Sequence, residues 1–322
     1  MLSPLKFEPL FKYRIWGGEK LKTILNKNYS EQSIGESWEI SDVKGEQTLV
    51  KEGPHVGKTL EKLIGEFKER LLGKSVYEAY GNEFPLLIKF IDAKTPLSIQ
   101  VHPGDELAKA RHGCFGKNEM WYVMQADDEA EMILGFNADL NKSTFQEHLT
   151  NGTIQDILHY ESVKKGDTFH IPTGRVHAIG AGILLAEIQQ TSDVTYRIYD
   201  YDRVDKQTGK KRELHIDLAL DVIDFERKES YKTNYQLAPN ASNKLLHTPY
   251  FKSNILEVSG SVDRNLSTID SFIIYMCVEG EVVLKHDETM YSLTKGESIL
   301  IPAEINEIHF SGEHGVCLEV FI

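Results

Sequence analysis

Gln100 and His102 stand two residues apart in the stretch Thr95–Val123, and Glu119 follows after a polar, glycine-containing connection. A later Gly-Arg-Val-His segment supplies His177. Two imidazoles, a carboxylate and an amide oxygen form a donor set for a divalent metal such as zinc, with one position left for water or substrate. Pro96-Leu97-Ser98-Ile99-Gln100-Val101-His102 alternates apolar and polar residues. Residues of one parity on a strand share a face. Ser98, Gln100 and His102 are therefore expected on one side, with Leu97, Ile99 and Val101 in the packing. Pro103-Gly104 ends the strand. Asn118–Met124 reads as the next strand, with Glu119 and Trp121 on one face. A lone histidine on a strand is ordinarily a satisfied or exposed residue. The metal reading rests on the four side chains together.

The 322 residues allow one large or two ordinary domains. Hydrophobic residues make up 41% and charged residues 26%, the balance of a soluble globular chain. No apolar run approaches the ~20 residues of a membrane span, and the N-terminal stretch lacks a signal-peptide apolar region. Cys114, Cys277 and Cys317 are far apart and odd in number, which argues against a disulfide framework and for a reducing cytoplasm. A net charge of -13 argues against nucleic acid or an anionic membrane as partner. An anionic small molecule would need a local cluster of Lys and Arg. The oligomeric state stays open.

The elements that must position these residues are mainly strands. Ile34–Ser41 alternates as a strand. Thr59–Leu72 carries apolar residues at helical spacing, with Thr59 as N-cap and Gly73 as stop. Phe84–Phe90 is a short apolar strand interrupted by Lys89, a position that ordinarily snorkels to water. One or two short helices are expected over Phe145–Leu158, capped by Ser143 or Thr144, and another over Leu214–Phe225. Glu226–Asn243 is polar and reads as a linker. From Lys244 onward the pattern is short strands without a helix.

A weak internal repeat runs through the chain. Lys165–Pro172 (KGDTFHIP) matches Lys295–Pro302 (KGESILIP), and Tyr122-Val123-Met124 matches Tyr275-Met276-Cys277. Two copies of a short-stranded antiparallel unit imply a mainly β protein with two cupin or jelly-roll barrels and a few flanking helices. The expected division is a metal-binding catalytic unit over 1–235 and a metal-free unit over 236–322. In this alignment Phe272 stands at the place of Glu119, and Glu307 at that of His177.

These segments resemble the type I mannose-6-phosphate isomerases, short bacterial form. The resemblance is carried by Trp16-Gly17-Gly18, Gly35–Glu39 (GESWE), Pro96–Pro103 (PLSIQVHP), Lys117–Met120 (KNEM), Ile171–His177 (IPTGRVH), and Glu187 with Ser192-Asp193 and Arg197. It covers roughly the first two-thirds of the chain. It implies a zinc enzyme interconverting mannose 6-phosphate and fructose 6-phosphate, with one zinc on Gln100, His102, Glu119 and His177 and with Arg197 catalytic. Longer members carry a helical domain between the metal Glu and the second His, which this chain lacks.

Aldose–ketose isomerisation moves a proton between C2 and C1 through an enediol. A divalent metal can polarise the adjacent carbonyl, and a base must reach the carbon acid. Glu187 and Lys117 are candidates for the base. Arg197 could stabilise the enediolate or bind phosphate, and Lys89 could reach the same pocket or simply pair with Glu187. Two other readings are a non-catalytic bicupin that binds a sugar phosphate and an iron-dependent bicupin dioxygenase.

Overall fold

The alternation around Gln100 holds only where a strand exists, over Ile99–Val101. In the computed structural model, which describes residues 2–322, Ile99 and Val101 pack away from the metal residues as expected. Leu97 does not: it packs in the opposite core with Trp16 and Trp121. It precedes the strand, so the two-residue period does not reach it.

Six strands form one antiparallel sheet in the spatial order Thr168–Ile171, Glu119–Ala126, Ile183–Gln190, Leu86–Ala93, Leu10–Gly18, Ile34–Ile40. Five form a second, in the order Leu158–Ser162, Glu131–Phe136, His177–Ile179, Ile99–Val101, Tyr196–Tyr199. Their inner faces share a core that includes Ile91, Trp121 and Phe169 from one sheet and Met132, Leu134 and Ile179 from the other. Among the described residues no ladder joins the two sheets, so this unit is an open sandwich and not the closed barrel expected. One edge is covered by the segment read as a linker: Lys232 bridges Phe169, and the Thr233 N–H donates to the Thr168 carbonyl. At the other edge, Ile34–Ile40 and Tyr196–Tyr199 stay apart, and a cavity lies between them.

Helices Lys142–Thr150 and Ile216–Leu220 cover the outer face of the five-stranded sheet. The first is capped by Asn141, not Ser143 or Thr144; its side chain accepts from the Thr144 N–H at 3.0 Å. The second is shorter than Leu214–Phe225 because its flanks are engaged elsewhere. The His215 N–H donates to the Arg197 carbonyl, and the Asp224 N–H to that of Gly174. The helix expected over Thr59–Leu72 breaks at Lys68, whose φ is 50°, into Leu60–Phe67 and Glu69–Leu72. Thr59 caps it as expected. Gly73 stops it at φ 92°, where a Cβ would lie 2.4 Å from the Asp270 carbonyl oxygen, so only glycine fits.

Apart from two short two-stranded ladders, Phe7–Glu8 with Leu49–Val50 and Asp42–Val43 with Glu46–Gln47, the remaining strands form one sheet in the order Ser242–His247, Lys252–Asn265, Glu307–Phe321, Ile273–His286, Thr289–Thr294, with Ser298–Ile301 also on Ile273–His286. Bulges bend the long strands, and they enclose a core that includes Leu256, Tyr275, Ile299 and Phe310. Cys277 and Cys317, distant in sequence, face each other across two of these strands as free thiols.

The repeat alignment is off by one residue on the Ile273–His286 strand. Ile171 pairs with Glu119 in the first unit, and Ile301 pairs with Ile273 in the second. Ile273, not Phe272, is thus the counterpart of Glu119. A one-residue slip sends a side chain to the opposite face. Phe272 accordingly points out of the C-terminal core into the seam between the units, with its ring centroid 4.6 Å from that of Phe84. Glu307 also points out of the C-terminal core, in its case into solvent, and Ile308 is the inward residue beside it. Because the seam core belongs to both units, Phe272→Ala should lower the stability of the whole chain by ~3–5 kcal/mol. Urea unfolding should show one transition shifted to lower denaturant, with unchanged activity per folded molecule. A separate early transition of the C-terminal unit alone would contradict this.

Candidate functional site

Two rows of side chains face each other across the sandwich. On the five-stranded sheet, His177 pairs with Gln100, and Gln100 with Arg197, across adjacent strands. On the six-stranded sheet, Trp121 pairs with Glu187 and Glu187 with Lys89. Antiparallel pairing in register puts each row on one face, which is why residues far apart in sequence converge.

His102, Glu119 and His177 meet at the inner end, all fully buried, with their ligand atoms within 4.8 Å of one another. The His102 Nδ1 lies 2.9 Å from the Val194 carbonyl, and the His177 Nδ1 lies 2.8 Å from that of Arg175. A carbonyl only accepts, so each Nδ1 carries the proton and each Nε2 presents a lone pair, the arrangement of ligating histidines. These Nε2 atoms stand 3.5 and 3.7 Å from the two Glu119 oxygens. Burial lowers the pKa of both histidines, His177 to about 3, so both rings are neutral, the form that binds a metal.

A cation fits this group. The Glu119 Oε2 is buried without a hydrogen-bond donor. Burial pushes the Glu119 carboxyl up, with Lys117 opposing and Glu187 adding to the rise. The Lys117 ammonium already donates to Glu119 and approaches the His102 Nε2 at 3.2 Å, so the donors attract positive charge. Gln100 lies beside them, its amide 3.3 Å from the His177 Nε2.

Gln100, Lys117 and Trp121 line a cavity of about 460 Å³ that also takes in Lys89, Glu187 and Arg197. All eight residues singled out from the sequence are therefore brought together. Lys89 does not snorkel: it donates to Gln189 at 2.7 Å and stands 3.1 Å from the Glu187 Oε1 and 4.0 Å from Glu36. Burial alone would lower its pKa, but Glu187 and Glu36 outweigh burial and raise it above the usual lysine range. Glu187 accepts from the Trp121 indole N–H at 2.8 Å, while its Oε1 receives no hydrogen bond. The buried Nε of Arg197 has no acceptor either. Burial, then the charge of Arg212, lowers the Arg197 pKa.

Sequence reasoning assigned no role to Arg14, Glu36 or Arg212, which also line the cavity. Arg14 holds Glu36 through two bonds of 2.9 and 3.0 Å, which, with Lys89 and against burial, keeps that carboxyl well below the usual range. Glu36 lies in the GESWE segment, so its motif was the available signal. Arg212 sits in a charged loop with no pattern to mark it.

A mainly β chain with a buried imidazole–carboxylate–imidazole group under a polar cavity defines a cupin protein with a site that could bind a metal. Residues 5–147 match the model of the phosphomannose isomerase type I catalytic domain, and residues 241–321 that of the mannose-6-phosphate isomerase cupin domain. A mannose-6-phosphate isomerase of Bacillus subtilis is 37% identical over 96% of both chains. One of Streptococcus mutans is 34% identical over 97% of this chain and 96% of its own. The crystal structure of the mannose 6-phosphate isomerase from Bacillus subtilis superposes over 100% of both chains with a TM-score of 0.91 and 31% identity. The chain belongs to the type I phosphomannose isomerases, and it is an isomerase. Among the described residues no helix is long and apolar enough to cross a membrane.

Proposed function

We propose that this chain interconverts mannose 6-phosphate and fructose 6-phosphate in the cytoplasm, with residues 1–235 carrying the site and residues 236–322 serving as a metal-free support. The observation that carries the reading is the alignment of the two facing rows on one buried metal-ligand group. His102, Glu119 and His177 would hold one zinc, with Gln100 as a further oxygen donor. Zinc, when bound, supplies the Lewis acidity that makes the hydrogen next to the sugar carbonyl acidic.

The protein's own groups do the rest. Glu187 takes the proton from C2 of the aldose and returns it to C1, passing through the enediol, while the hydroxyl proton moves from O2 to O1. The Trp121 indole holds Oε2, and Oε1, in ion-pair contact with Lys89 at 3.1 Å but without a hydrogen-bond donor, is the oxygen that would take the proton. Lys89 is kept as an ammonium by its two carboxylate neighbours, so it is not itself the base. Lys117 donates hydrogen bonds to the sugar oxygens at the floor. Arg197, one strand beyond Gln100, faces the oxygen on which negative charge develops. Arg212, farther out, faces the phosphate, where a guanidinium gives paired hydrogen bonds to a dianion.

A coupled assay for fructose 6-phosphate formation, with metal analysis of the same sample, tests the reading. Turnover that tracks zinc content is expected; zinc-loaded protein that binds the sugar phosphate without turnover would leave only a binding protein. Arg197→Ala should keep fold and metal and lose kcat by ~10²-fold or more, because charge stabilisation acts mainly in the transition state. A rise in KM alone would move Arg197 to substrate binding.

A further inference from the structure

Beside the cavity mouth the backbone is strained. Tyr201 and Asp202, neither a glycine, stand consecutively in the left-handed region at φ 55° and 54°. L-residues visit this region singly and at a cost, and such strain persists only where surrounding contacts enforce it. The strained turn launches a hairpin that Val204 and Lys211 close by a bridge. The next residue, Arg212, returns to line the cavity.

The contacts that enforce the turn converge on Asp200, which is 5% exposed. Its carboxylate accepts from the Arg212 Nε at 2.8 Å and Nη2 at 2.6 Å, and from the Arg203 Nη2 at 2.5 Å. Arg203 also donates to the Asp200 carbonyl at 3.2 Å and to that of Pro96 at 2.5 Å. At the tip side, Asp205 accepts from the Tyr13 hydroxyl at 3.3 Å. Tyr13 belongs to the opposite sheet, so the hairpin is a strap across the mouth. Two guanidiniums share one carboxylate here, and Arg197 pairs with no carboxylate nearby among the described residues. The Arg197 and Arg212 guanidiniums thus line the mouth together, with Asp193 and Asp205 as the carboxylates beside them.

We propose that Asp200 is a positioning residue for the phosphate end of the substrate: by fixing Arg212 edge-on through two bonds, it turns a surface loop arginine into a preorganised phosphate clamp. The inference rests on the reading of the cavity as a sugar-phosphate site. Asp200 touches no substrate. Its role is to remove the rotamer freedom that Arg212 would otherwise lose on binding, which raises affinity without touching the chemical step.

The test uses the zinc-loaded full chain, titrated calorimetrically with inorganic phosphate and assayed with mannose 6-phosphate. Asp200→Asn should weaken phosphate binding about tenfold or more and raise KM to match, with kcat within about threefold of wild type and zinc content unchanged. Arg212→Gln should do the same. The double variant should be no worse than Arg212→Gln alone, because the two residues act through one contact. Wild-type phosphate affinity in Asp200→Asn, or losses that multiply in the double variant, would overturn the proposal. If Asp200→Asn is not recovered folded, Asp200→Glu displaces Arg212 while keeping the charge; the same loss is expected, and wild-type affinity would again overturn it. A wild-type chain that binds phosphate yet isomerises no sugar would refute the isomerase reading and leave the clamp standing.

Discussion

His102→Ala is expected to remove metal and activity together, with kcat/KM falling by roughly 10³-fold or more; losing only a hydrogen bond behind a ligand already costs ~10–100-fold, and here the ligand itself goes. The site has no spare donor to take its place. His102, Glu119 and His177 are the one group of three or more His, Cys, Asp or Glu among the described residues placed to hold an ion. Removing the imidazole also strands the Val194 carbonyl that its Nδ1–H satisfies. Elemental analysis should find the variant depleted while circular dichroism reports a folded chain. Chelation of the wild-type protein should give the same loss, reversed by zinc in the wild type and not in the variant. Full metal occupancy in His102→Ala would sink the ligand assignment.

Glu187→Gln should lower kcat by ~10²–10⁴-fold, the usual contribution of a positioned general base. The substitution is nearly isosteric, and a Gln side-chain oxygen can still accept from the Trp121 indole, so the row across the sheet should survive. It removes the one feature the chemistry needs, a carboxylate oxygen that can take a proton. Metal content should be unchanged and KM altered little. The more direct readout is exchange of the C2 hydrogen of mannose 6-phosphate with deuterated solvent. That exchange should slow in step with kcat. Exchange at the wild-type rate would pass the role of base to Lys117, whose contacts with Glu119 and His102 place it at the same floor.

The sheet register explains why these two residues matter for different reasons. His102 is fixed from behind by a backbone carbonyl, so its ring direction is set by the loop at Val194. Glu187 is fixed from the side by Trp121 on one neighbouring strand and Lys89 on the other. Positioning by neighbours on a sheet is stiff, which suits a base that must act twice on adjacent carbons.

Much of this was determined by the sequence alone. The two-residue period put Glu119 and Trp121 on one face, and both lie inward. Donor types on paired strands singled out Gln100, His102, Glu119 and His177 as candidate metal ligands, the family resemblance added Arg197, and simple chemistry added Lys117, Glu187 and Lys89 around them. Local patterns of this kind depend on neighbours in the chain, so they are legible there. Only the tertiary structure decided what depends on register and closure. A slip of one residue sent Phe272 to the seam and put Ile273 at the place of Glu119, because a repeat match sets the identity of a strand but not its parity. The sandwich stayed open because its edges are covered or held apart by segments from elsewhere in the chain. Lys89 reads from sequence as a residue at the water boundary, yet it is buried and held charged by Glu187 and Glu36, carboxylates on two other strands. Arg212 became part of the mouth only through a strained turn pinned by Asp200. Electrostatic pairing and strain are set by distances between remote segments, and no local period in the chain encodes those distances.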